Sequence, residues 1–507
     1  MSLSIHRIFK TNKRIKLGIW GLGRGMSFFK TCSALNIDVK VGCDYNAHMR
    51  KRFLEVNPGA FVTDDAEEFL KQDIDAVLVA TFCPSHADDA IRCLKTGKHV
   101  LSEVTSFHTM AEGVRLVEAV EQAGKVYNLA ENYPFSRENM YLAARWREGL
   151  FGDFMYAEYE YIHESRSLAY TYIDKLPVMP GNTVHNWRSW LNVHYYNTHS
   201  LGPVMVITGK RPKRVTALPG EVRLAGYLID PPHGKGGIAP SLIHFEGGGL
   251  MRNLMGATTN DDHFRRIWGT LGAAEISHDG LFLRLGAAGI ATKLAVAPPW
   301  SELGELAVKA GHSGGDFWVL YYFAREILTG EPGPFTIYNA CDCTIPGILA
   351  YRSSVENGKP LDVPDFRNKL ERAAFRNDEY AQPRYDVKQG CLPGGRELDR
   401  TGKFSAVMKD LIRYATAVRA WEDWAGIIVE VRKKPKVAEL GRAVVKELDA
   451  ITATYKAARA LAAAYPGTDG ARMLNEMLEV GRDRDVLKPR YRDGVRRRAA
   501  AISRMKT

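Results

Sequence analysis

Several groups of residues in this 507-residue sequence have the types and spacing that chemistry needs. The run Gly21-Leu22-Gly23-Arg24-Gly25-Met26 directly follows the apolar stretch Ile15 to Trp20. Glycines at a strand-to-helix turn let a pyrophosphate approach the backbone, and the helix that follows aims N–H groups at the anion. The third glycine of the G-x-G-x-x-G pattern comes one place early, as Gly25, with Met26 in its slot. Asp44 lies 23 residues after Gly21, at the end of the next apolar stretch. A carboxylate there takes the ribose hydroxyls of NAD and repels the 2′-phosphate of NADP; the competing role is a cap for a helix starting near Ala47. Tyr196 and His199 are three apart, at the start of a helix that Thr198 can cap and Pro203 can join in its first turn, so phenol and imidazole share a face. An imidazole there can take the proton of a hydroxyl, or it can merely donate to a backbone carbonyl. Tyr159, Tyr161 and His163 alternate onto one face of a strand, with Glu158, Glu160 and Ile162 on the other; such an aromatic stripe is more often core than catalyst. Glu131 stands at the carboxyl end of another strand, the edge at which doubly wound sheets bind ligands, or else it caps the helix beginning near Ser136.

The elements that must position these groups fall into three stretches. Up to about residue 133, short apolar strands (Ile15–Trp20, Val39–Cys43, Ala76–Ala80, His99–Ser102, Lys125–Leu129) alternate with helices such as Ala87–Thr96 and Thr109–Ala123, each followed by glycine. That alternation predicts a Rossmann-type α/β domain, 1–133, with a doubly wound parallel sheet. Over 134–400 a helix, Arg137–Glu148, leads into the long strand Phe154–His163. Six more strand candidates follow with short gaps, at Arg214–Leu218, Leu242–Phe245, Leu250–Met255, Phe264–Leu271, Glu275–His278 and Leu281–Leu285. Helices Phe317–Leu328 and Tyr338–Glu356 close the region. Strands in succession predict an α+β domain with a large, mostly antiparallel open sheet. From 401 to 507 the composition turns to Ala, Leu, Glu and Lys, with helical apolar spacing over Val437–Ala464, which predicts a helical extension.

Composition narrows the class of protein. An apolar share of 45% with 25% charged residues suits a soluble globular chain. No apolar run is long enough for a bilayer span, and the basic stretch Met1–Arg14 lacks the apolar core of a secretory signal, so a cytoplasmic protein is expected. Seven cysteines without clustering argue against a disulfide framework. Cys341 and Cys343 lack two further ligands at zinc spacing, so buried thiols and no metal are expected. Of the net charge of +11, residues Gly481 to Thr507 supply +7, with ten Lys/Arg against three Asp. No aromatic interleaving or recognition motif accompanies this tail, so a solvated or subunit-contacting arm is expected rather than a nucleic-acid binder.

Beyond the glycine turn, the segments Ala80-Thr81-Phe82-Cys83-Pro84-Ser85-His86 and Gly97-Lys98-His99-Val100-Leu101-Ser102-Glu103 resemble the glucose–fructose oxidoreductase/inositol dehydrogenase (Gfo/Idh/MocA) family over roughly Ile15 to Asn368. The resemblance implies NAD as cofactor, with Thr81, His86 and Glu103 as contacts. The family's dehydrogenases usually follow that glutamate with Lys-Pro, whereas here the run is Glu103-Val104-Thr105. This departure is similar to the NAD-dependent glycosidase branch (glycoside hydrolase family 109, the N-acetylgalactosaminidases). Five other segments match that branch: Leu129-Ala130-Glu131-Asn132, Tyr161 to Arg166, Trp187-Arg188, Tyr196 to Pro203 and Gly311 to Phe317. Asn197 and Thr105 stand where the branch usually has proline.

The resemblance implies that Asn132, Trp187 and Arg188 join the cofactor set. It further implies that His199 accepts a hydroxyl proton from C3 of a sugar, and that Tyr161, supported by Glu131, takes the proton at C2. Tyr196, His163 and His312 would contact the sugar, with Asp316 behind His312. The implied activity is a redox-neutral glycosidase acting on a small sugar or glycoside, as a dimer or tetramer. The alternatives are a sugar or cyclitol dehydrogenase that releases NADH and, less favoured, a non-catalytic NAD-sensing protein whose basic tail binds a partner.

Overall fold

The computed structural model describes residues 8–164, 166, 187, 191–222, 224–227, 237–257, 263–286, 289–382, 403–467 and 469–505. Six strands form the first sheet: β1 (Ile15–Trp20), β2 (Ile37–Cys43), β3 (Phe61–Thr63), β4 (Ala76–Val79), β5 (His99–Ser102) and β6 (Tyr127–Leu129). All pairs are parallel, in the order β3-β2-β1-β4-β5-β6, the doubly wound dinucleotide-binding order. Ala76 to Val79 are all fully buried, as central strands with helices on both faces must be. The order reverses between β1 and β4, which opens a crevice at their carboxyl ends. Five of the six strand ends, all but that of β3, deliver one expected residue to that rim: Gly21 after β1, Asp44 after β2, Thr81 two places past β4, Glu103 after β5 and Glu131 two places past β6.

The displaced glycine is explained by packing. Gly25 lies against β1, where an added Cβ would sit 2.4 Å from Cγ2 of Ile19, so it performs the helix–strand approach one residue early. The expected single helix after the turn is instead a short α-helix, Leu22–Gly25, continued by alternating 3₁₀ and α turns to Leu35.

The second sheet has nine strands. They are β7 (Phe154–Ile162), β8 (Pro212–Ala217), β9 (Ile238–Phe245), β10 (Leu250–Gly256), β11 (Arg265–Gly269), β12 (Gly272–Ser277), β13 (Gly280–Leu285), β14 (Lys293–Val296) and β15 (Leu361–Asp362). Their order is β14-β13-β12-β11-β7-β10-β9-β8-β15. Every pair is antiparallel except β7 with β10, which runs parallel. The expected strand Phe264–Leu271 stops at Gly269, and a tight turn at 270–271 leads into β12. Alternation along β7 holds from Glu158 to Tyr161, with Tyr159 and Tyr161 buried, and ends at Ile162, which is buried as well. Glu158 and Glu160 face outward and pair with Arg252 at 3.4 and 3.3 Å.

The helix Thr198–Thr208 packs on β7 and β10 of the second sheet and against the Tyr133–Phe135 turn, and is buried along nearly its whole length. Thr198 does not cap it. A 3₁₀ turn, Val193–Tyr196, runs straight into the helix through Asn197 in αR conformation, so the extended backbone of a capping residue never occurs. Pro203 lies inside the helix rather than in its first turn.

The C-terminal region is a helical bundle: Lys403–Gly426, Lys434–Ala464, Asp469–Val480, Asp483–Val486 and Tyr491–Ser503. Along Lys434–Ala464 the buried residues Val437, Gly441, Val444, Leu448, Ile451, Tyr455, Ala458 and Ala462 repeat at four- and three-residue steps. That heptad seam is built for a partner helix, and Lys403–Gly426 supplies it, with Trp421 against Gly441. The basic tail is not a loose arm. Val495, Ala499 and Ile502 bury one stripe of Tyr491–Ser503, while Arg492 pairs with Asp449 at 2.9 Å and Arg498 with Glu422 at 2.5 Å. Among the described residues, no helix is long and apolar enough to cross a membrane, and no group of His, Cys, Asp and Glu is placed to hold a metal.

Candidate functional site

A cleft of about 840 Å³ runs from the glycine turn to the end of β7, a size typical of small-molecule and cofactor sites. One wall is the switch point of the first sheet. Gly21 has φ +94°, and a Cβ there would lie 2.1 Å from the Ala80 carbonyl oxygen, so only glycine fits the turn against β4. Gly23 and Arg24 continue that wall. Leu22, by contrast, is fully buried beneath it, and Met26 is half-buried against the core.

Asp44 reaches the cleft with one oxygen accepting the Leu22 N–H at 2.8 Å and the other accepting the Asn46 N–H at 2.8 Å. Burial pushes its carboxyl up, opposed by those N–H groups and by Arg50. The helix cap considered for Asp44 is supplied by Asn46, whose side chain accepts from His48 and Met49. The cradle thus fits a dinucleotide: a turn with no room for a Cβ, and an anionic group at the end of β2 suited to a ribose diol.

Thr81 donates to Asp89 at 2.6 Å. His86 lines the cleft, but both ring nitrogens face backbone carbonyls, Nδ1 that of Thr105 at 2.9 Å and Nε2 that of Thr81 at 3.3 Å. Its ring therefore ties the two loops together. Arg24 crosses the cleft floor. Its Nε donates to Glu103 at 2.8 Å, and its two terminal nitrogens donate to Asp316 at 2.9 and 2.7 Å. Asp316 is fully buried and also receives Asn132 Nδ2 at 2.8 Å and His312 Nδ1 at 3.1 Å. Desolvation would raise its carboxyl, but the Arg24 guanidinium and the His312 imidazole override it and hold it well below the usual carboxylate range. His312 thus has the carboxylate support expected of Asp316, which serves Arg24 more directly.

The opposite wall belongs to the second domain. His199 and Glu131 form a dyad: both Glu131 oxygens lie 2.9 Å from His199 Nδ1. Glu131 is fully buried behind the ring and also accepts the Tyr133 N–H at 3.0 Å. The close fit needs Gly202 one turn along the helix, where a Cβ would lie 2.9 Å from Glu131 Cγ. Neither competing role survives: Ser136 caps its own helix, and His199 faces a carboxylate, not a carbonyl. A carboxylate on Nδ1 keeps that nitrogen protonated and leaves Nε2 as the base. The expected pairing of Glu131 with Tyr161 is corrected by this geometry, because the carboxylate is directed at the imidazole.

Tyr161 and Tyr196 flank the imidazole, with ring centroids 4.9 and 4.8 Å from it, and Trp187 lies 5.0 Å from Tyr196. His163 stands beyond Tyr161 at 5.7 Å. Arg188 lies outside the described residues. Two groups had gone unread in the sequence. Tyr133 stacks on His199 at 4.2 Å with an interplanar angle of 18°, and His263 lies parallel to Tyr161 at 5.3 Å. Tyr133 follows Glu131-Asn132 directly, and that proximity was the only available signal for it; His263 had none.

Comparison with known proteins agrees with this layout. Residues 15–131 match the model of the Gfo/Idh/MocA oxidoreductase family, NAD-binding Rossmann fold. Residues 296–370 match the glycosyl hydrolase 109 C-terminal domain. A glycosyl hydrolase family 109 protein of Saccharopolyspora erythraea is 26% identical over 400 residues, covering 71% of this chain and 84% of that protein. An alpha-N-acetylgalactosaminidase of Shewanella oneidensis is 25% identical over 406 residues, covering 69% and 85%. Among solved structures, a levoglucosan dehydrogenase in complex with NADH and levoglucosan shares the fold with a TM-score of 0.57 at 18% identity, covering 69% of this chain and all of that one. An inositol dehydrogenase homolog from Azotobacter vinelandii, complexed with NADH and myo-inositol, has a TM-score of 0.53 at 17% identity, covering 69% and 98%.

Proposed function

We propose that this chain, whose residues 15–131 match the Gfo/Idh/MocA NAD-binding Rossmann fold and whose residues 296–370 match the glycosyl hydrolase 109 C-terminal domain, is an NAD-dependent glycosidase which oxidises the C3 carbinol of its sugar transiently. The observation that carries this is the buried Glu131–His199 dyad facing a dinucleotide cradle across one cleft. Gly21, Gly23 and Arg24 would hold the dinucleotide at its phosphates and Asp44 at its ribose, which favours NAD over NADP. Bound NAD supplies hydride abstraction and return at a sugar carbon.

The chain's own residues handle protons and position. His199 Nε2 accepts the proton of the C3 hydroxyl, and Glu131 stabilises the imidazolium that results. A ketone at C3 acidifies the C2 hydrogen, which Tyr161, 4.9 Å from the imidazole ring, takes as the aglycone leaves C1 with a proton; water then adds at C1, a solvent-exchanged proton returns to C2, and the C3 hydroxyl is restored with the proton held by His199. This carbanion route avoids the oxocarbenium-like transition state of two-carboxylate glycosidases. Val104, where the related dehydrogenases usually carry lysine, leaves the imidazole as the base at the carbinol. Tyr196, His163 and His312 orient the sugar. A homo-oligomer belongs to the same reading, with the outer face of the second sheet, where Ile238 and Leu242 stand in solvent, as the surface to be covered.

The test is a panel of nitrophenyl glycosides given to NAD-loaded enzyme in deuterium oxide. Product without net NADH, carrying deuterium at C2, is expected. Steady accumulation of NADH with an intact glycosidic bond would make the protein a net sugar dehydrogenase instead.

A further inference from the structure

The C-terminal bundle buries its own heptad seam, yet one edge of it is used elsewhere. Met408 and Met477 close on Gly226, where an added Cβ would lie 3.2 Å from Met408 Cε and 3.0 Å from Met477 Sδ. Glu476 accepts the Gly226 N–H at 3.0 Å. On the same patch Arg166, only 2% exposed, donates to Met477 Sδ at 3.6 Å and to the Ala225 carbonyl at 2.7 Å. Its Nε and its backbone N–H both donate to Glu164, at 2.8 and 2.9 Å. Glu164 and Arg166 directly follow β7, whose end carries Tyr161 and His163 into the cleft.

We propose that the bundle is a positioning element for the sugar-binding end of the cleft, acting through Met477 on Arg166 and, through the Arg166–Glu164 pair, on the neighbouring His163. The physical basis is the guanidinium. A buried guanidinium is tolerated only while it is paired and hydrogen-bonded, so the groups that hold it in place are fixed together. Met477 Sδ covers one terminal nitrogen of that guanidinium, so the Arg166–Glu164 clasp is rigid only with the bundle docked. The proposal rests on the glycosidase reading only for the identity of the sugar.

The test uses the full chain with Met477→Ala, Met477→Leu as the conservative variant, and hydrogen–deuterium exchange as a readout that needs no substrate. Met477→Ala opens a cavity beside Arg166, so exchange over 154–166 should quicken by about tenfold while the strands of the first sheet are unchanged. KM for the sugar (or its Kd, where it binds without turnover) should rise several-fold, with kcat and NADH affinity within about twofold of wild type. Met477→Leu should restore both. Unchanged exchange over 154–166 overturns the proposal, as does unchanged sugar affinity. Acceleration spread equally over β1 to β6 also overturns it, because it marks general destabilisation. Failure to cleave any glycoside would count against the proposed function alone, since the exchange and sugar-binding measurements would still decide this point.

Discussion

Replacing Glu131 by glutamine removes one charge and almost no volume, so it isolates the carboxylate's part in the dyad. In the native site Glu131 serves two donors, His199 Nδ1 at 2.9 Å and the Tyr133 N–H at 3.0 Å. A glutamine has one oxygen, and the Tyr133 N–H claims it, which turns the amide NH₂ towards Nδ1. The imidazole must then accept at Nδ1 and carry its proton on Nε2, so the base faces away from the sugar. The imidazolium also loses its counter-charge. At a charge separation of about 4 Å and an effective dielectric of about 20, that attraction is worth about 4 kcal/mol, or roughly 10³-fold in rate. Glu131→Gln should therefore lower kcat by about 10²- to 10⁴-fold, with KM and NADH affinity within a few-fold of wild type. Single-turnover formation of reduced nicotinamide, followed by absorbance, measures the step directly. A fall of less than about tenfold, with NADH affinity intact, would refute the assignment of His199 as a base oriented by Glu131.

Three further outcomes follow from the same geometry. Arg24→Met should cost about 3 kcal/mol at pH 7 by leaving the buried Asp316 with only His312 and the Asn132 amide as partners. In the wild type the depressed Asp316 carboxyl adds stability above the ordinary carboxylate range that is lost only as pH falls through its lower folded value. In the variant burial raises it, so the deficit in thermal stability should shrink as pH falls towards about 4, and a deficit independent of pH would contradict this. Gly21→Ala should weaken NADH binding at least about 100-fold by fluorescence titration, whereas Gly97→Ala, at φ +78° but in open space, should cost only about 1 kcal/mol of stability. Tyr133→Phe should keep the stack on His199 and its activity, while Tyr133→Leu should lower kcat roughly 5- to 30-fold, and equal losses in the two would disprove a role for the ring face.

Much of the first sheet was legible because strands buried on both faces are continuous apolar runs. β3, three residues with an exposed phenylalanine at its start, and β15, two residues paired with β8, are too short to leave a pattern. The basic tail misleads by its charge count: Val495, Ala499 and Ile502 recur at helical spacing, and that stripe decides the outcome while the arginines occupy the other faces. In the site, residues at strand ends were readable because the fold class fixes where strand ends go. Which groups meet there was not. The stack of Tyr133 on His199 and that of His263 on Tyr161 join distant parts of the chain, and local spacing carries no trace of either. Glu131 was placed correctly at its rim but assigned the wrong neighbour, because its partner is set by the helix Thr198–Thr208, whose approach depends on Gly202.

The parallel pairing of β7 with β10 bears on how this molecule assembles. Tyr161 leaves the sheet at the end of β7, and the chain then supplies the His199 helix and strands β8 and β9 before β10 returns beside β7, with Met255 opposite Tyr161. Closing so large a loop loses entropy before it gains contacts, which makes such pairings late events in folding. The end of β7 that carries Tyr161 is therefore fixed beside Met255 late in folding, well after the Rossmann domain at residues 1–133 can be complete.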